Sequence, residues 1–206
     1  MKRSKSSSQW LADHEDDEFV KRARIEGYRS RASYKLLEID DKYKILKSGH
    51  RVVDLGSAPG GWSQVAIKRV GHKGQVVALD LLEMPPVEGV TFIQGDFTED
   101  EPVQAILALT GESGIDLVIS DMAPNLSGMR DIDQPKAMYL VELAHELATR
   151  VLVRKGSLLV KCFEGEGVES IRSLFSDSFT QVINVKPKAS RGRSREIYIL
   201  ARGFKG

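Results

Sequence analysis

The stretch Val52-Val53-Asp54-Leu55-Gly56-Ser57-Ala58-Pro59-Gly60-Gly61-Trp62-Ser63-Gln64 decides the fold. It begins as the apolar run RVVDL (51–55), passes through a glycine-rich turn, and continues into the helical pattern GWSQVAIKRV (61–70). An almost wholly apolar strand has no solvent face, so it belongs in a sheet covered on both sides. A helix directly after it is the usual way to return for a parallel partner.

The same alternation extends outward. Toward the C-terminus the spacing predicts strands at 75–80, 90–96, 115–120 and 156–163, with helices at 100–109, 134–152 and 168–176 between or after them. The last two strand-like runs, FTQVINV (179–185) and REIYILA (195–201), are separated by only KPKASRGRS. A parallel crossover needs a dozen or more residues, so these two are expected to be antiparallel neighbours. The expected class is α/β, with a seven-stranded, mostly parallel sheet, an antiparallel last strand and helices on both faces. Toward the N-terminus, 10–26 and 33–46 read as helices. Residues 1–8 are expected to form a disordered, basic, Ser-rich lead, and 9–206 a single domain.

The net charge of +1 hides a strong asymmetry. Residues 1–35 carry nine Lys/Arg against six Asp/Glu, and residues 186–206 carry seven against Glu196 alone. The body between them has a net charge of −8. An acidic body with basic ends fits a polyanionic partner, although solvated tails would read the same way. No apolar run approaches the roughly 18 residues of a membrane span, and no secretory signal follows the basic start. Cys162 is the one cysteine, which excludes an internal disulfide or a multi-cysteine metal site. The expectation is a cytoplasmic, monomeric protein without a metal.

Ligands of open α/β sheets bind beyond the C-terminal strand ends. There the sequence places Asp54, Asp80, Asp96 and Asp121, with Lys161 near the end of the fifth strand. Against the dinucleotide fingerprint G-x-G-x-x-G, Gly56 and Gly61 fit but Ala58 occupies the middle glycine, which is where a pyrophosphate approaches. This disfavours a nicotinamide dinucleotide. S-adenosyl-L-methionine has no phosphate, and Asp80, 24 residues after Gly56, is placed to accept from ribose hydroxyls.

VVDLGSAPGGWSQ, with LD (79–80), GDF (95–97), SDMAPN (120–125), VKCFEGEG (160–167) and SRE (194–196), resembles the FtsJ/RrmJ family of heat-shock ribosomal RNA 2′-O-methyltransferases over nearly the whole chain. The resemblance implies a Rossmann-like SAM-dependent methyltransferase fold. It implies transfer of a methyl group from S-adenosyl-L-methionine to the 2′-hydroxyl of a uridine ribose in 23S rRNA. It also implies a catalytic tetrad of Lys35, Asp121, Lys161 and Glu196, with Lys161 as proton acceptor, and donor contacts at Gly60, Trp62, Asp80, Asp96 and Asp121. From the residues themselves, Trp62 could pack on the adenine or sit in the core. Lys161 could act as base, or orient the hydroxyl and stabilise its developing charge. Arg29 and Arg31 just ahead of Lys35, with Lys186, Lys188, Arg191, Arg193 and Arg195, form the expected RNA-phosphate rim, and 9–46 is expected to contribute to it. The partner is thus ribosomal RNA or the large ribosomal subunit. Three rivals remain at this point: methylation of a base carbon through Cys162; methylation of an exocyclic amine, for which Asp121-Met122-Ala123-Pro124-Asn125 is a loose match lacking the first proline and the aromatic; and a non-catalytic RNA-binding assembly factor.

Overall fold

The computed structural model describes residues 17–111, 114–125, 127–192 and 194–206. The 1–8 lead, the predicted helix start at Trp10 and the candidate Arg193 lie outside the described residues. Helices α1 (Glu18–Glu26) and α2 (Ser33–Tyr43) precede β1 (Arg51–Leu55), α3 (Gly61–Val70), β2 (Gln75–Asp80) and β3 (Val90–Gln94). Then follow α4 (Asp100–Thr110), β4 (Ile115–Ser120), α5 (Arg130–Val151), β5 (Leu152–Phe163), α6 (Val168–Ser178), β6 (Phe179–Val185) and β7 (Glu196–Phe204).

The seven strands form one sheet in the order β3-β2-β1-β4-β5-β7-β6. The first five are parallel, and β7 runs antiparallel to both β5 and β6. Strand alternation divides the core in two. Val53, Val77, Val118, Leu158 and Ile199 face α4, α5 and α6, while Val52, Val76, Leu117, Leu159 and Leu200 face α2 and α3. Each of these side chains is fully buried, which is why the strands read as unbroken apolar runs.

Several bounds differ by up to three residues (the 33–46 helix ends at Tyr43, the 90–96 strand at Gln94, and the last strand runs on to Phe204), and two departures are larger. Helix α5 starts at Arg130, four residues before the predicted start, so Pro135 lies inside the helix rather than near its first turn. Strand β5 begins at Leu152, directly after α5, where the predicted helix was still running. The segment Val153-Arg154-Lys155-Gly156 is looped out of the pairing at a register shift against β4, between Ile115↔Leu152 and Leu117↔Ser157. A bulge of this kind has no period-2 pattern to betray it.

Candidate active site

The parallel strands bring the glycine turn, Asp80, Asp96 and Asp121 to one rim of the sheet. Gly56 sits at φ 70°, and a Cβ there would overlap the Met122 side chain. Gly60 caps α3 at φ 104°, against Arg29, Met84 and Val87. The turn therefore depends on glycine both for its left-handed backbone and for close approach. Asp80 braces it: one carboxylate oxygen accepts from the Ala58 N–H (2.8 Å) and the other from the Leu82 N–H (2.8 Å). Asp96 Oδ1 accepts from the Thr98 N–H (2.9 Å). Beneath the turn, Asp54 Oδ2 accepts from the Ser63 hydroxyl (2.6 Å). Asp54 Oδ1 and Ser57 Oγ are buried without a protein partner.

Trp62 resolves in favour of the core. Its indole is 3% exposed, donates to the Ala32 carbonyl (2.8 Å) and packs on the Tyr198 ring at 5.6 Å. Its backbone, at the start of α3, remains available to a ligand at the turn.

Beside the turn, two lysines and two acids converge. Lys35, on the first turn of α2, binds both Glu196 oxygens at 2.7 and 2.8 Å. Lys161 Nζ, from β5, donates to the Asp121 backbone carbonyl (2.5 Å) and lies 2.9 Å from Asp121 Oδ1. Each lysine also lies 3.9 Å from the other's acid. Burial opposes ionisation of Asp121, but Lys161, Lys35 and the hydrogen bonds from Tyr198 and Lys161 outweigh it and hold its carboxyl below the usual value.

The register of β7 explains the convergence. Lys161 pairs with Tyr198 and Phe163 with Glu196, so residues 161, 163, 196 and 198 share one face of the sheet. Cys162, between them, faces the α5–α6 core, fully buried, and burial pushes its thiol up to about 11. It is neither placed nor ionised to attack a base.

Two members of the cluster were not anticipated. Ser190 donates to Glu196 Oε1 (2.8 Å). The fully buried Tyr198 donates to Asp121 Oδ1 (2.5 Å), and burial together with Asp121 and Glu196 raises its hydroxyl well above the ordinary tyrosine value. The i, i+2 spacing from Glu196 was the available signal for Tyr198. Tyr198→Phe is expected to lower turnover about tenfold, matching the net worth of one hydrogen bond to a charged group. Single-turnover kinetics with unchanged donor affinity would show it. An unaltered rate would make the hydroxyl a packing feature only.

The expected phosphate rim is more engaged than charge alone implies. Arg29 donates to the carbonyls of Pro59 (3.1 Å), Pro85 (2.5 Å) and Pro86 (2.6 Å), clamping the glycine turn to the loop after β2. Arg31 pairs with Asp17 (2.8 Å) and donates to the Ala189 carbonyl (2.7 Å). Arg191 lies 3.6 Å from Asp17. Arg195 donates to the Glu164 carbonyl and to Gln134. Lys186 donates to the Ser194 carbonyl (2.7 Å) and stays exposed, as does Lys188. The loop is held over the site by Glu38 of α2, which accepts from the backbone N–H of Lys188 (2.6 Å) and Ala189 (3.0 Å).

Among the described residues no group of three or more His, Cys, Asp or Glu is arranged to hold a metal, and no helix is long and apolar enough to cross a membrane. The family model described as FtsJ-like methyltransferase matches residues 28–204. A protein of Hahella chejuensis named ribosomal RNA large subunit methyltransferase E is 57% identical over 206 residues, covering 100% of both chains. A protein of the same name from Pseudomonas aeruginosa is 56% identical over the same length, again covering all of both chains. A crystal structure described as a ribosomal RNA methyltransferase from Plasmodium falciparum superposes with a TM-score of 0.80 at 30% identity, covering 87% of this chain and 100% of that one.

Proposed function

The chain belongs to the FtsJ-like methyltransferase family, and from that premise we propose that it methylates the 2′-hydroxyl of a uridine ribose in 23S ribosomal RNA, using S-adenosyl-L-methionine, within an assembled large subunit. The observation that best supports this is the pairing of Lys35 and Lys161 across Asp121 and Glu196 beside the glycine turn. A sugar hydroxyl needs a proton acceptor and fixed charges at that spot, and needs no cysteine.

When bound, the donor supplies a methyl group activated by a sulfonium charge. The residues fit such a ligand. Gly60 leaves room at the start of α3, and each Asp80 oxygen keeps a lone pair beyond its backbone bond for a ribose diol. Asp96 and Asp121 flank that place. Asp54 Oδ1 and Ser57 Oγ are polar atoms still lacking a partner.

Lys161 is the proton acceptor in this reading. As a neutral amine it has two N–H groups and one lone pair. Asp121 offers two acceptors, its carbonyl and Oδ1, for the two N–H groups. The lone pair then faces the remaining tetrahedral direction, where the hydroxyl proton is taken up. Glu196 holds Lys35 beside the site through two short contacts. Tyr198 fixes Asp121. Residues 9–206 act as one unit, with 9–46 supplying Lys35. Lys186, Lys188, Arg191, Arg193 and Arg195 approach RNA phosphates, with Arg29 and Arg31 shaping the turn and loop behind them. The protein works as a monomer in the bacterial cytoplasm, where its ribosomal substrate resides.

The test supplies methyl-labelled donor and large subunits from cells lacking the protein, then resolves nucleosides by mass spectrometry. Label in 2′-O-methyluridine is the expected result. Label on a base, or none, overturns the reading.

A further inference from the structure

At the opposite end of the sheet from the tetrad lies a second cleft, of about 630 Å³. It is bounded by the segment between α2 and β1, the start of β5 and the end of β7. Its lining includes Lys44, Lys47, Arg154, Lys155, Arg202 and Lys205. Asp116 is its acid, and that carboxylate already accepts from the Arg51 N–H (2.8 Å) and pairs with the Arg51 side chain at 3.7 Å. Lys205 caps the Ser176 and Asp177 carbonyls. Lys44, Lys47, Arg154, Lys155 and Arg202 have no side-chain partner among the described residues. In a chain of net charge +1, this is a local concentration and not general basicity.

The backbone supplies a second, independent sign. Among the described residues, Lys44 (φ 51°) and Lys155 (φ 71°) are the non-glycine positions with positive φ. Both line this cleft. A left-handed conformation is one that glycine adopts without penalty and lysine does not. Lys44 closes α2 at a position where glycine is the common choice. A cation kept twice at a strained position, against one cleft, indicates use of the charge.

We propose that this cleft binds the phosphate backbone of a second RNA segment, so that the protein is gripped by its substrate at both ends of the sheet. The proposal rests on RNA being the substrate. Lys155 lies before Ser157, where the regular β5 pairing begins, and Lys161 near the end of β5, which puts the two sites at opposite rims of the sheet. A small anion or a short strand at the tetrad would not reach the cleft. A folded RNA with two segments flanking the protein would, which deepens the reading of an assembled particle as substrate. Ile45, Val153 and Phe204 are the large apolar side chains of the lining, set among His50 and a larger number of cations, whereas a protein partner is usually met by a wider apolar, aromatic centre.

The test uses the triple variant Lys47→Gln, Arg154→Gln, Lys155→Gln on large subunits from cells lacking the protein. The slope of log affinity against log salt should fall by about 2 to 3, at roughly 0.7–0.9 per lost phosphate contact. KM for the particle should rise, with kcat at saturation and donor affinity unchanged. A short RNA carrying only the target should be methylated equally by parent and variant. An unaltered salt slope and KM would overturn the proposal, even if the parent methylates ribose as expected. Lys155→Gly separates charge from fold: it should melt no lower than the parent and bind particles more weakly. Full particle affinity in that variant would also overturn the proposal. So would loss of binding to polyglutamate with RNA binding intact, which would assign the cleft to an acidic protein.

Discussion

Lys161→Ala is expected to lower turnover by roughly 10²- to 10⁴-fold while leaving donor affinity nearly unchanged. The side chain is 9% exposed and held by two atoms of a single residue, the Asp121 carbonyl and carboxylate. Its removal leaves Asp121 with Tyr198 and with Lys35 at 3.9 Å, so the carboxylate stays compensated and the donor turn is untouched. What disappears is the one amine placed to take a proton beside the glycine turn. Single-turnover rates, with calorimetric donor titrations, measure both. Unchanged turnover would remove Lys161 from the chemistry.

The second large effect is on stability and belongs to Asp54. Burial first, then the nearby Asp121 and Asp80, push its carboxyl up to about 7 from 3.8, against the lowering hydrogen bond from Ser63. Between about pH 4 and 7 the folded protein thus holds a proton that the unfolded chain releases. Stability from this group is fully present below about pH 4, declines as pH climbs to about 7, and is level above it. The whole decline corresponds to about 4 kcal/mol. Asp54→Asn does not titrate and can still accept from the Ser63 hydroxyl. Its stability curve should lack this decline, and at pH 8 it should be more stable than the parent by up to about 4 kcal/mol. Denaturant unfolding at pH 5, 6, 7 and 8 tests this. Parallel curves for the two proteins would sink it.

Several elements were legible in the sequence because local physics sets them. The predicted 51–55, 75–80, 115–120 and 179–185 strands have the same bounds as β1, β2, β4 and β6; the first three are buried apolar runs closed by glycine or acid, and β6 is closed by Lys186-Pro187. The antiparallel β6–β7 pair followed from a loop too short for a crossover. Elements that depend on a neighbour were not legible. The early start of β5 needs the bulge against β4, and the early start of α5 places Pro135 in a helix that local rules would end or delay. Nor did charge counting reveal that Arg29, Arg31 and Arg195 donate to backbone carbonyls distant in sequence.

Chain order and side-chain period alone were enough to set the α/β class, the glycine turn under a ligand, and the strand-end acids, because each depends on residues a few positions apart. That β7 inserts between β5 and β6, and so sets Glu196 and Tyr198 against Lys161 and Asp121, was decided only in three dimensions. So was the clustering of left-handed Lys44 and Lys155 on one cleft. Pairing order and the meeting of side chains more than a hundred residues apart are settled by which faces must be buried together, and no local pattern encodes that.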